Sequence, residues 1–168
     1  MSKSHPHTGV SRRALAPLGM GTLAAAWTGG ALAAESVGAA NENEAAREKL
    51  VTDFCLNWAT KDVETLIPAL SDTIEYHIWE GGPVINGVET FRKQMGPFMA
   101  GMREIDWQIL RSTVMGDIVL NERIDYFYRP EGQKDDVFHV VGVFLVRDGK
   151  IQYWKDYSLS DDPNDAGE

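Results

Sequence analysis

From residue 105 to residue 158 this chain reads as four long strands broken only by short turns, and its helical patterns come earlier. Segments 105–114, 117–128, 137–146 and 151–158 carry the strand patterns, with Met115-Gly116, Pro130-Glu131-Gly132 and Asp148-Gly149 between them. Asp-Gly between two apolar runs is a strong two-residue hairpin signal, because both residues tolerate positive φ. Segment 137–146 is almost uninterrupted apolar sequence and predicts a strand buried on both faces. Ahead of this meander, Leu50, Val51, Phe54, Cys55 and Trp58 recur at spacings of three and four, which predicts a helix over 41–60. A short helix is expected over 62–70, capped by Asp62 and ending near Pro68. A β-rich run follows at 73–79, then a break at Gly81-Gly82-Pro83, then a helix over 88–102. Helices grouped ahead of antiparallel strands predict an α+β domain with helices on one face of a curved sheet. A doubly wound fold would need the two to alternate.

The first 34 residues have a different character. Ser11-Arg12-Arg13 precedes a stretch from Ala14 to Ala34 without a charged residue, and the stretch closes on Ala31-Leu32-Ala33-Ala34. A basic start, an apolar middle and small residues at a cleavage site form an export signal, and the paired arginines point to the twin-arginine route. A retained transmembrane anchor is the alternative, since 21 uncharged residues suffice to span a bilayer. The Gly and Ala content and the Ala-Leu-Ala site favour cleavage, which leaves no stable membrane anchor and places the protein in a periplasm or outside the cell. The expected organisation is therefore a signal at 1–34, a linker at 35–42, one domain at 43–159 and a loose acidic tail at 160–168.

The 16 basic and 25 acidic residues give a net charge of −9. Cleavage near Ala33 or Ala34 removes Lys3, Arg12 and Arg13 but no acidic residue, which takes the charge to −12. An acidic chain without a basic stripe is unsuited to phosphate backbones, so no nucleic-acid partner is expected. A lone cysteine, Cys55, excludes an intrachain disulfide and a four-cysteine zinc site. His5, His7, His77 and His139 are too scattered to suggest metal-ligand spacing. No metal or cofactor is expected.

Chemistry is suggested by polar residues where the pattern calls for apolar ones. Asn121, Arg123, Asp125 and Phe127 share one strand face, and Gln152, Trp154, Asp156 and Ser158 share another. If Arg123 and Asp125 point inward they form a buried charged pair, and burying charge is costly unless it is paired and hydrogen-bonded. Pointing outward, they would be an ordinary surface pair worth about 0–1 kcal/mol.

Asn121-Glu122-Arg123-Ile124-Asp125 and Trp154-Lys155-Asp156-Tyr157 resemble the two motifs of the limonene-1,2-epoxide hydrolase family, within the nuclear transport factor 2-like superfamily. The 31-residue step from Asp125 to Asp156 is similar to the family's spacing, and Val141-Gly142-Val143-Phe144 resembles its intervening strand. The resemblance implies a cone-shaped fold and one-step hydrolysis of a small hydrophobic epoxide. In it Asp156 would be the general base on water, Asp125 the general acid on the epoxide oxygen, and Arg123 the bridge that orients both. Two carboxyl groups in opposite protonation states can do this work, because proximity and burial push their titrations apart.

The family holds its water with a Tyr and an Asn two residues apart. Tyr76 matches the tyrosine, but Ile78 occupies the asparagine position and cannot hydrogen-bond. A one-residue shift of register would instead turn Glu75 and His77 inward. The resemblance also places Trp154, Phe138, Val140 and Ile78 in the substrate pocket and turns His139 away from it. It further implies a homodimer through an outer sheet face carrying Leu120, Tyr126, Tyr153 and Tyr157. Met95, Met99 and Met102 are expected to pack around a cavity, Cys55 to lie in the core, and residues 79–83 to form an ordinary turn, the alternative being a loop at the pocket mouth with Glu80 as an extra acid. The same fold also serves SnoaL-like polyketide cyclases, ketosteroid isomerase-like enzymes and non-catalytic binding modules. A binding module predicts a closed ion network without an adjoining cavity.

Overall fold

The computed structural model describes residues 29–159, with side chains placed from Glu42 onward. Residues 1–28 of the proposed export signal and the acidic tail from residue 160 lie outside the described residues, and residues 29–34 fall within the first helix.

Helix α1 spans Gly29–Leu56 and continues as a single 3-10 turn, Asn57–Thr60. Segment 35–42, expected as a linker, lies within this helix; its alanines have the highest helix propensity of any residue and outweigh the single Gly38. The short helix expected at 62–70 resolves into two 3-10 turns, Val63–Thr65 and Ile67–Ala69. The Asp62 carboxylate accepts from the Glu64 N–H at 3.0 Å, and Pro68 at the start of the second turn prevents the two from merging into one α-helix. Strand β1 covers Leu70–His77, β2 Val84–Asn86, and helix α2 Val88–Ala100. Then come β3 (Glu104–Met115), β4 (Ile118–Tyr128), β5 (Asp136–Arg147) and β6 (Lys150–Ser158). The β2 segment was not anticipated, because three residues after a proline carry no periodicity.

All six strands form one sheet in the order β2-β1-β6-β5-β4-β3. Every pairing is antiparallel except β1 with β6, whose parallel contact sets β1 beside the last strand and second from the sheet edge. Asp148 and Gly149 both have positive φ, 52° and 68°, as the two-residue hairpin requires. A register shift at Leu110 in β3 bends the sheet and leaves that residue exposed.

Alternation along β4 is clear. Val119, Asn121, Arg123, Asp125 and Phe127 are buried, and their neighbours are half-buried. The helices cover the inner face, α1 against β3 and β4, α2 against β1 and β2. Arg47 donates to Asp117 Oδ1 at 2.7 Å, and Asp117 Oδ2 receives Arg147 Nε at 3.1 Å, so α1 is tied to two hairpins at once. The core between the layers is strongly aromatic, with Phe54, Trp58, Phe91, Phe144 and Trp154 fully or almost fully buried. β5 departs from expectation. Val140, Phe144 and Val146 are buried, but Val141, Val143 and Leu145 on the reverse face are only half-buried, because none of the described residues lies over that side of the sheet.

Candidate active site

Three neighbouring strands bring the charged residues together. β5 lies between β4 and β6, and Gly142 of β5 is paired with Asn121 on one side and Asp156 on the other. Arg123 is fully buried and reaches across β5. Its Nε donates to Asp125 Oδ2 at 3.1 Å and lies 2.8 Å from Oδ1. Its Nη2 sits 2.9 Å from Asp156 Oδ2. The guanidinium rests over the Trp107 ring at 4.4 Å, a cation–π contact that offsets part of its desolvation. The surface-pair alternative is thereby excluded: all three side chains are buried on the inner face.

The crossing depends on Gly142. A Cβ built there would lie 2.5 Å from Arg123 Nη1, 2.6 Å from the Phe144 ring and 3.0 Å from Asp156 Oδ1. We expect Gly142→Ala to lower stability by about 1–3 kcal/mol, the usual cost of overpacking a filled core, measured by urea denaturation. An unchanged midpoint would mean that the guanidinium can take another path.

The two carboxylates are held differently. Asp156 Oδ1 accepts from Trp154 Nε1 at 2.7 Å and Oδ2 from the Tyr76 hydroxyl at 3.4 Å, in addition to its contact with Arg123. Asp125 has Arg123 alone as its polar partner. Burial raises the pKa of both, and at Asp156 the Arg123 charge and the hydrogen bonds from Trp154, Arg123 and Tyr76 pull the other way. Asp125 is pushed up from 3.8 to about 7, first by burial and further by the Asp156 charge, against the pull of Arg123. Both carboxyl groups are raised and they face one cation, so the two titrate as a coupled pair that retains a proton near neutrality.

A raised carboxyl pKa makes the ionised form destabilising. Its stability contribution is intact below the unfolded value near 3.8 and is lost as pH rises through about 7. Raising the pH from 4 to 8 should cost about 3 kcal/mol through this group, and Asp125→Asn should flatten that slope in thermal melts across the same range.

Next to the pair lies a cavity of about 350 Å³. Asp125, Asp156, Tyr76, Ile78, Phe138 and Val140 all contribute to its wall. Tyr76 and Ile78 thus face inward, while Glu75 and His77 point outward and meet each other at 2.5 Å, which settles the register. Ile78 presents a hydrocarbon surface where a hydrogen-bonding side chain was sought. Trp154 is not part of the wall. It is fully buried behind Tyr76, their rings stacked at 3.6 Å, and acts through its bond to Asp156. Its indole is the widest side chain on that face and is covered completely by Tyr76, Phe54 and Phe144.

The remaining candidates settle as follows. His139 faces away from the cavity and lies 3.0 Å from Glu122 Oε1. Cys55 is in the core, and burial pushes its thiol up to about 12. Met95 lines the cavity, whereas Met99 and Met102 are core residues. In the 79–83 loop Trp79 reaches the cavity and Glu80 does not. Sequence reasoning missed Trp58, Trp107 and Phe98 as cavity residues, along with Arg129 and Asp136 at its edge. Trp58 and Trp107 stack with centroids 4.4 Å apart, a pairing between helix and strand that no local pattern announces. Arg129 did carry a usable signal: it continues the parity of Arg123, Asp125 and Phe127 along β4. Among the described residues no group of three or more His, Cys, Asp or Glu side chains could hold a metal ion.

No curated protein matches the chain. Among solved structures, an LEH-like epoxide hydrolase from M. tuberculosis is 29% identical, with a TM-score of 0.62 over 70% of this chain and 85% of that one. A protein of ketosteroid isomerase-like fold from Catenulispora acidiphila is 16% identical, with a TM-score of 0.57 over 64% and 83%. A protein from Novosphingobium aromaticivorans described as having a cystatin fold is 18% identical, with a TM-score of 0.59 over 66% and 96%. The latter two share the fold alone. The SnoaL-like domain model matches residues 51–154, from the first helix into the last strand; the span includes Arg123 and Asp125 and ends two residues before Asp156. With that span and this cone of strands around a buried Asp–Arg–Asp cluster, the chain belongs to the SnoaL-like domain family.

Proposed function

We propose that this protein hydrolyses an epoxide to a vicinal diol by direct attack of water, without a covalent intermediate. One observation carries the reading: a single buried guanidinium joins two buried carboxyl groups at the wall of a mostly apolar cavity. Asp156, hydrogen-bonded as a carboxylate, takes a proton from water as the water oxygen forms its bond to a ring carbon. Asp125 delivers its proton to the ring oxygen as that C–O bond breaks. Arg123 stays charged throughout and fixes the spacing of the two. The proton gained by Asp156 and lost by Asp125 is exchanged through solvent before the next turnover. The likeness to the M. tuberculosis epoxide hydrolase supports this reading. So does the cavity beside the cluster, which a closed structural ion network would lack.

Ile78 favours a second reading. Without an asparagine, water rests on Asp156 and Tyr76 alone, and the same dyad could instead move a proton between carbons of a cyclase or isomerase substrate. Diol formation from limonene oxide and cyclohexene oxide by the mature domain separates the two. Diol carrying oxygen from labelled water supports hydrolysis. A folded protein that forms none from any epoxide overturns it and leaves the proton-transfer reading. We further propose that the protein is exported through the twin-arginine route. It would act as a homodimer through the outer sheet face that carries Leu120, Tyr126, Tyr153 and Tyr157.

A further inference from the structure

The cavity has a second polar end. Arg129 lies one residue past the end of β4 and lines the cavity as Asp125 and Phe127 do, about 13 Å along the chain from Asp125 at the rise of an extended backbone. Asp136 opens β5 on the same side, ahead of Phe138 and Val140, and both Arg129 and Asp136 line the cavity. Between the two ends the wall is hydrocarbon and aromatic, including Phe127, Phe138 and Trp107.

Arg129 Nε and Nη2 both donate to one oxygen, Asp136 Oδ2, at 2.7 and 2.5 Å. The Arg129 backbone N–H donates to Asp135 Oδ1 at 2.7 Å and holds the arginine in place. These bonds use Arg129 Nε and Nη2 and Asp136 Oδ2, and leave Arg129 Nη1 as a donor and Asp136 Oδ1 as an acceptor, with both side chains about one-third exposed (34% each). A half-exposed pair adds little stability of its own, and two apolar residues would suit a wholly apolar ligand better. A guanidinium donor and a carboxylate acceptor held at one end of the cavity suit a hydroxyl, which both gives and receives. It does not match a carboxylate, which Asp136 and the adjacent Asp135 repel.

We infer that the Arg129–Asp136 pair binds a hydroxyl at the far end of an elongated epoxide, so that the substrate is an apolar body with a neutral polar group about 13 Å from the reacting ring. This inference rests on the hydrolase reading for the chemistry, but the pairing of a polar end with the rim does not depend on it. It replaces the expectation of a small, purely hydrophobic substrate with an amphipathic one.

The test compares 1,2-epoxydecane with 9,10-epoxy-1-decanol, which differ only in the terminal hydroxyl. The wild type should prefer the hydroxylated molecule by about five- to tenfold in kcat/KM, mostly through KM, the worth of one hydrogen-bonded group at a partly exposed site. In Arg129→Met/Asp136→Leu, which removes both charges together, that ratio should fall to about one. Asp136→Asn frees the guanidinium and should shift preference toward 9,10-epoxydecanoic acid. Equal use of the first two epoxides by the wild type, or a ratio that survives the double substitution, overturns the inference. If no epoxide is turned over, the hydrolase reading fails and binding decides the rim separately. The rise in melting temperature given by 1-octanol should then exceed that given by the same concentration of octane, and only with the rim intact. No such difference overturns the inference on its own.

Discussion

Substituting Asn for Asp156 is expected to lower kcat for diol formation by about 10²–10⁴-fold while the domain stays folded. The amide keeps the shape of the carboxylate and can still accept from Trp154 Nε1, now 2.7 Å from Asp156 Oδ1. It cannot take a proton from water. Because it also removes a desolvated charge, the variant should melt at or above the wild-type temperature at pH 8. Loss of turnover with a higher or unchanged melting temperature is the signature of a base that is strained for function. Full activity in the variant would show that Asp156 is not the base. In the wild type, kcat/KM should decline as pH rises through about 7, where Asp125 loses the proton it delivers.

Arg123→Met should have the largest effect on stability, about 3–5 kcal/mol at pH 8, as for any buried ion cluster that loses its central charge. Methionine fills much of the same space, so packing against Trp107 is largely kept. What fails is charge balance, since two buried carboxyl groups then face each other with no cation between them. The sign with pH follows. Protonation relieves the repulsion, so the variant should recover much of its stability near pH 5, and denaturant midpoints at pH 5 and pH 8 will show it. An equal loss at both pH values would mean that Arg123 stabilises by packing rather than by charge. Activity should be lost at every pH, because neither carboxyl group would hold its place.

Much of this architecture is legible in local sequence. Strand alternation on β4 placed Asn121, Arg123, Asp125 and Phe127 on one side, and all four are buried there. Asp148-Gly149 specified its hairpin, because few residue pairs tolerate two positive φ values in succession. Other features were hidden. A three-residue strand such as β2 exists only because β1 offers it an edge. The apolar reverse face of β5 looked like interior, but within one chain burial there is partial, since composition records what a surface prefers and not what covers it. Trp154 shared a face with Asp156 and so looked like a pocket wall. Tyr76, from the parallel neighbour β1, stacks over it and takes that place instead.

By itself the sequence determined which residues share a strand face with Arg123 and which with Asp156, because strand period is a local property of the backbone; that those faces turn inward was decided by the fold. Only the tertiary structure decided what those charges do. The 2.9 Å contact between Arg123 and Asp156 joins strands that are separated by β5, and it exists because Gly142 leaves the gap through which the guanidinium passes. The same holds for the protonation of Asp125, which follows from being buried with one cation and one like charge for neighbours. It holds as well for the cavity, whose walls come from helices and strands far apart in the chain. Burial, distance and desolvation are properties of the assembled sheet and helices, and no stretch of residues carries them alone.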